Sequence, residues 1–143
     1  MDESTLPEPI QRALFVLRAS IMPEARADAV HDNWVYLWLP RVHVEEAKFP
    51  PPNERGLWVR IPMQFPFAQP HGIVTKEPLV PTDGHAVKGH NAGHEMCNPV
   101  GPIGGGHYYS WTWSGELGQG PALRSADVIL EVVNWVERRI RLA

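Results

Sequence analysis

At 143 residues the chain has room for one domain, and a hydrophobic content of 43% supplies a core and excludes global disorder. A formal charge of −3 argues against broad electrostatic capture of nucleic acid or an anionic membrane, and no apolar run is long enough to span a bilayer. The acidic start Met1-Asp2-Glu3-Ser4 lacks the apolar run of a secretory signal, and one cysteine closes no internal disulfide, so the expectation is a soluble protein of the reducing cytoplasm that uses neither nucleic acid nor membrane as a partner.

The chain begins with a helix. Thr5 and Glu8 form a capping-box pattern, and Pro7 and Pro9 fall in the first turn, where a missing N–H costs little. Ile10, Leu14 and Leu17 recur at helical spacing, Ala13 and Phe15 widen the stripe, and the helix is expected to end near Ser20. Gln11, Arg12 and Arg18 fall outside the stripe. A strand is expected over Trp34–Leu39, closed by Pro40, and another over Leu57–Met63, with Trp58, Arg60 and Pro62 on one face and Leu57, Val59 and Ile61 on the other. His71–Glu77 reads as a further short strand. Sequential strands at this spacing, with no strand–helix–strand alternation, point to an antiparallel meander of about four strands in an α+β domain covering residues 1–143.

Residues 84–120 show neither helical nor strand period, except for a brief strand over Tyr108–Trp113, and so long a loop in a small domain is often functional. The last helix is expected to have Ser125 as N-cap and Asp127 in its first turn, with Ile129, Val132, Val133, Val136 and Ile140 buried and Val128, Leu130 and Trp135 broadening the stripe. Arg138, Arg139 and Arg141 suit its C-terminal dipole as a solvated end. Trp111, Trp113 and Trp135 read as core.

Chemistry concentrates around Cys97. The dipeptide Gly-His occurs three times ahead of it, at His85, His90 and His94, and His107 follows. Three readings are open. Cys97 is a nucleophile, with His94 or His90 favouring thiolate and Asn91 or Asn98 donating to an oxyanion. Alternatively the histidines and Cys97 hold zinc, although Gly89 and Gly93 disfavour the helix that would align His90 with His94, and no Cys-x-x-Cys pair exists. Or Cys97 is a small buried hydrophobe in a domain with a solvated Gly-His loop.

The flanks add a resemblance. Leu57–Pro62 leading into Phe65-Pro66-Phe67-Ala68-Gln69-Pro70 is similar to the strand and proline turn beneath the active site of the ubiquitin-conjugating enzyme (UBC-like) family, and Pro121-Ala122-Leu123 resembles the segment that opens the helix after that family's catalytic cysteine. The order of elements agrees from about Leu6 to Leu142. The family's His-Pro-Asn triplet is absent, with His90-Asn91 the nearest substitute. The stretch from Cys97 to Pro121 is longer than usual, and a tryptophan that normally lies close before Pro-Ala is displaced to Trp111 or Trp113.

The resemblance is to the small bacterial conjugating enzymes of antiphage ubiquitin-like pathways. It implies an acyltransferase in which Cys97 accepts a ubiquitin-like modifier's C-terminal glycine as a thioester from an activating enzyme and passes it to an amine of a protein target. Asn91 would serve as oxyanion donor and His94 as catalytic aid, with no metal or organic cofactor. Gln11, Arg12 and Arg18 would face the activating enzyme, and Phe65, Pro66 and Pro70 would form a packing turn. A non-catalytic binding or scaffold member of the same type, and a zinc-binding domain, are the alternatives. Transfer requires an open path to the Cys97 sulfur.

Overall fold

The computed structural model describes residues 1–101, 105–113 and 128–143. Helix α1 spans Glu8–Ser20 and buries Ile10, Ala13, Leu14 and Leu17. Its start differs from the capping-box expectation. Thr5 belongs to a separate 3-10 turn, Glu3–Thr5, capped by the Asp2 side chain. Pro7 precedes the helix directly with extended ψ, so the chain enters without a side-chain cap, and the Ile10 and Gln11 N–H groups donate to the Pro7 carbonyl at 3.0 and 3.1 Å. Phe15 does not widen the stripe: it is 69% exposed, because one residue past Leu14 is a rotation of about 100° away from the buried face.

Among the described residues the sheet has six antiparallel strands in the order β1-β2-β3-β4-β6-β5. They are β1 Arg26–His31, β2 Trp34–His43, β3 Glu54–Pro62, β4 His71–Thr75, β5 His90–Ala92 and β6 His107–Thr112. The expected strands correspond to β2, β3, β4 and β6, which are neighbours in the sheet, while β1 and β5 add an unexpected strand at each edge. Strand β1 has no apolar alternation of its own; its partner β2 supplies the ladder across a two-residue turn in which Asp32 and Asn33 both have positive φ, the geometry of a tight hairpin. Pro40 does not close β2. The register to β3 shifts between Leu39 and Val42, and such a bulge accommodates a residue with no N–H to give. Three exposed residues in the Gly-His stretch form β5 by pairing with β6, too short a run to show a period.

Alternation along β2 and β3 sends residues to two differently covered faces. Val35, Leu37, Leu39, Leu57, Val59 and Ile61 meet α1 and α2 in the main core. Helix α2 spans Ile129–Leu142 and buries Ile129, Val132, Val133, Trp135, Val136 and Ile140. Trp113 and Trp135 are fully buried with ring centroids 5.4 Å apart, and Trp111 is buried too. Arg138 and Arg141 are exposed as expected, whereas Arg139 is half-buried with its guanidinium 5.4 Å over Trp111. Ser125, Asp127 and the Pro121-Ala122-Leu123 segment lie outside the described residues. The opposite face of the sheet carries a smaller cluster of Tyr36, Trp58, Val74, Cys97 and Tyr108. Among the described residues no helix is long and apolar enough to cross a membrane.

Candidate functional site

The Gly-His stretch is pinned to the sheet. The Ser110 N–H donates to the Gly89 carbonyl at 3.1 Å, and the Trp111 indole N–H donates to the Lys88 carbonyl at 2.8 Å. After β5, Gly93 turns the chain with positive φ into a 3-10 turn, Glu95–Cys97. His94 caps that turn, its Nδ1 accepting from the Met96 N–H at 3.1 Å. The Tyr36 hydroxyl donates to the Met96 carbonyl at 2.8 Å, and the Cys97 N–H donates to the His94 carbonyl at 2.9 Å. These bonds press the turn onto the outer face of the sheet.

Cys97 is therefore 1% exposed, packed with Tyr36, Trp58, Val74 and Tyr108 and flanked by Met96 and Val100. Gly106, with φ of +101°, lies directly against it: a Cβ built at that position would stand 3.3 Å from the sulfur. Burial pushes the thiol's pKa up, outweighing the contact with the His94 backbone, which pulls it down. In this conformation Cys97 is a protonated, enclosed thiol, and burial of this kind makes structural cysteines inert.

The structure does not assemble the expected helpers around it. Asn91 is exposed on β5 and its amide donates to the Gly89 carbonyl at 3.1 Å, the local turn bond common for asparagine. His94 sits near the thiol in sequence, but its Nδ1 lone pair is spent on the cap, and its ring packs 4.9 Å from Tyr108. His90 Nε2 lies 2.7 Å from His107 Nδ1, with the rings stacked, and burial followed by the His90 charge lowers the His107 pKa. His85 bonds to Asp83 and to the Ala143 carbonyl. Among the described residues no three His, Cys, Asp or Glu side chains converge as a metal would need, which leaves the zinc reading with a histidine pair alone.

Phe65, Pro66 and Pro70 are buried, consistent with a packing turn. Gln11 and Arg12 are exposed on α1. Arg18 differs: its guanidinium grips the Glu3 carboxylate at 2.7 and 2.8 Å and donates to the Ala25 carbonyl, so it ties the helix to the first turn and to the approach to β1.

One further buried residue is not among the sequence-based site candidates. Arg60 lies on the Trp58 face of β3, as the alternation predicts, and a cation is the least expected side chain on a strand covered on both sides. It is 3% exposed. Its guanidinium carbon lies 4.4, 5.8 and 5.6 Å from the ring centroids of Trp34, Tyr36 and Tyr108. Its Nη1 donates to the His71 carbonyl at 3.2 Å and to the Tyr108 hydroxyl at 3.1 Å. The signal lies in the alternation: Arg60 takes the same face as Trp58 and Pro62, and the one acidic residue of the strand, Glu54, is six positions away at its other end.

No family model matches the chain, and no curated protein and no solved structure is significantly similar to it.

Proposed function

We propose that this chain is a UBC-like member of a ubiquitin-like conjugation system that acts by binding, as a scaffold or modifier receptor, and not by carrying the modifier on Cys97. The general reading is supported by the sequence resemblance together with the order of elements: α1, the β1–β4 meander, the buried Phe65-Pro66 turn, a cysteine on a short 3-10 turn, and α2. The single observation that carries the binding form is the 1% exposure of Cys97, with Gly106 packed against its sulfur. An attacking thiol needs a path to a carbonyl and access to thiolate, and burial withholds both. A bacterial antiphage pathway, a protein target and a cytoplasmic location belong to the same proposal.

Thioester transfer is the second reading, and one observation favours it: among the groups packed against Cys97, Gly106 has no side chain to move aside. In that case the Cys97 sulfur bonds to the modifier's carbonyl carbon, the activating enzyme's carbon–sulfur bond breaks, and the Cys97 proton passes to the departing thiol. A target amine then attacks, releasing Cys97 as thiol, while a hydrogen-bond donor stabilises the tetrahedral oxyanion.

The test mixes the protein with modifier, activating enzyme and ATP from its own gene neighbourhood. The binding reading expects saturable association with the modifier and no reductant-sensitive adduct, with Cys97→Ala behaving as the wild type. An adduct that forms on the wild type and is lost in Cys97→Ala overturns it in favour of transfer.

A further inference from the structure

We infer that residues 90–97 form an acid-released latch over Cys97, held at both ends by hydrogen bonds into imidazole nitrogens that must be unprotonated. The device is independent of which role Cys97 has. At the first end, His90 Nε2 and His107 Nδ1 stand 2.7 Å apart across β5 and β6. Such a bond needs one nitrogen to donate and the other to accept, so the pair holds with one proton between them and fails when both nitrogens carry one. At the second end, His94 Nδ1 accepts from the Met96 N–H and caps the Glu95–Cys97 turn. A proton on that nitrogen sets a donor against a donor.

Short steps join both bonds to the sulfur. His107 follows Gly106, the residue packed against the Cys97 side chain. The Gly93 N–H, just after β5, donates to the Gly106 carbonyl at 2.9 Å. Met96, whose N–H the His94 cap holds, directly precedes Cys97. Strand β5 is three exposed residues at the edge of the sheet, paired with β6. A run that short with so little buried surface opens locally while the core stays folded.

The ionisable groups around the latch are Lys88 before β5, Glu95 in the turn, Glu77 after β4, Tyr108 and Tyr109 on β6, and Arg60 on β3, which bonds to the Tyr108 hydroxyl. Tyr108 packs against His94 and Tyr109 stacks on His90; burial raises the pKa of both, so they stay neutral in mild acid. Glu77 favours charge on His107, but burial and then the His90 charge outweigh it and lower the His107 pKa. A closed-state pKa below the ordinary histidine value of about 6.5 means that the closed form is fully favoured above that pH and loses ground as pH falls below it.

The experiment measures how fast 2,2′-dithiodipyridine, which reacts with thiols even in mild acid, labels Cys97 from about pH 8 down to about pH 5, the range in which histidine titrates. Each rate is divided by that of glutathione at the same pH, a chelator is present throughout, and far-ultraviolet circular dichroism follows the fold. The inference expects the normalised rate to rise at least about tenfold towards acid, the scale of one lost hydrogen bond, with the dichroism unchanged. His90→Ala should label quickly already at neutral pH. His94→Asn supplies a cap oxygen that does not titrate, and in His107→Gln an amide oxygen accepts from His90 whether or not that ring is charged. The double variant should therefore label slowly across the whole range. The inference is overturned if the folded wild type stays slow in acid, if exposure coincides with loss of the dichroism signal, if His90→Ala labels as slowly as the wild type, or if the double variant responds to acid as the wild type does. Should the variants not fold, the wild-type labelling profile against its dichroism decides alone.

Discussion

The two faces of one sheet solve different problems with alternate residues of the same strands. On the inner face Leu57, Val59 and Ile61 lie against α1 and α2 in an aliphatic core, where stability comes from area removed from water. On the outer face the intervening Trp58 packs with Tyr36, Val74, Cys97 and Tyr108, and Arg60 lies over the rings of Tyr36 and Tyr108, so apolar and polar contacts share that face. The Trp58 indole N–H donates to Asp28 Oδ2 at 2.7 Å, Lys76 lies over Trp38 and Trp58, and Arg26 lies over Trp38. A face sealed by helices holds the fold together. The outer face, covered by a short turn, keeps polar groups among its rings and borders a cavity of about 500 Å³.

The contrast is broken or sharpened most strongly by truncating one tryptophan on each face. Trp135→Ala, from the sealed core, should lower the unfolding free energy by about 3–5 kcal/mol in urea denaturation. Trp38→Ala, from the half-buried outer face, should cost roughly 1–2 kcal/mol, the scale of a partly buried aromatic with cation contacts. Equal losses would mean that the outer face is a second structural core and nothing more.

Gly106→Ala comes next. It forces an L side chain into a φ of +101° and a Cβ to within 3.3 Å of the Cys97 sulfur, at a cost of about 1–3 kcal/mol. The relief is to move the segment off Cys97, so thiol labelling should quicken in the folded variant relative to the wild type. Unchanged labelling would show that Gly106 is not what closes the site.

The smallest effect is a pH dependence. Burial holds the Cys97 pKa above its ordinary value, so the folded protein keeps a proton that the unfolded chain releases above about pH 8.5. The stabilisation is complete below that pH and is lost as pH rises towards the folded value, with a slope of at most about 1.4 kcal/mol per pH unit. Denaturation at pH values of about 8 to 9.5 should show the wild type losing stability faster than Cys97→Ala; parallel curves would mean that the thiol is in contact with solvent.

The helical ends of the domain and the β2–β4 meander were legible because their residues carry the period themselves. Ile10, Leu14 and Leu17 repeat on a helical face, Ile129 to Ile140 do the same, and Leu57, Val59 and Ile61 alternate with Trp58 and Arg60. Strand β1 and strand β5 were not legible. The residues of β1 are mostly polar or small, and β5 is three residues of an otherwise irregular stretch, so in each case the partner strand provides the order. The helix start differs from the capping-box expectation for a local reason, since Pro7 sets the backbone there and Thr5 lies in the preceding 3-10 turn.

The sequence by itself determined the α+β class, the order of its two helices and of the strands that carry their own period, and the concentration of cysteine and histidines in one stretch, because these follow from composition and from periods that each segment carries alone. Tertiary structure alone decided that Cys97 is enclosed, that His94 spends its Nδ1 lone pair on a cap, and that Arg60 is buried among Trp34, Tyr36 and Tyr108 beside a cavity. Those outcomes depend on which groups from distant segments meet across the sheet, and on how much water that meeting excludes. Spacing along a chain contains no measure of either.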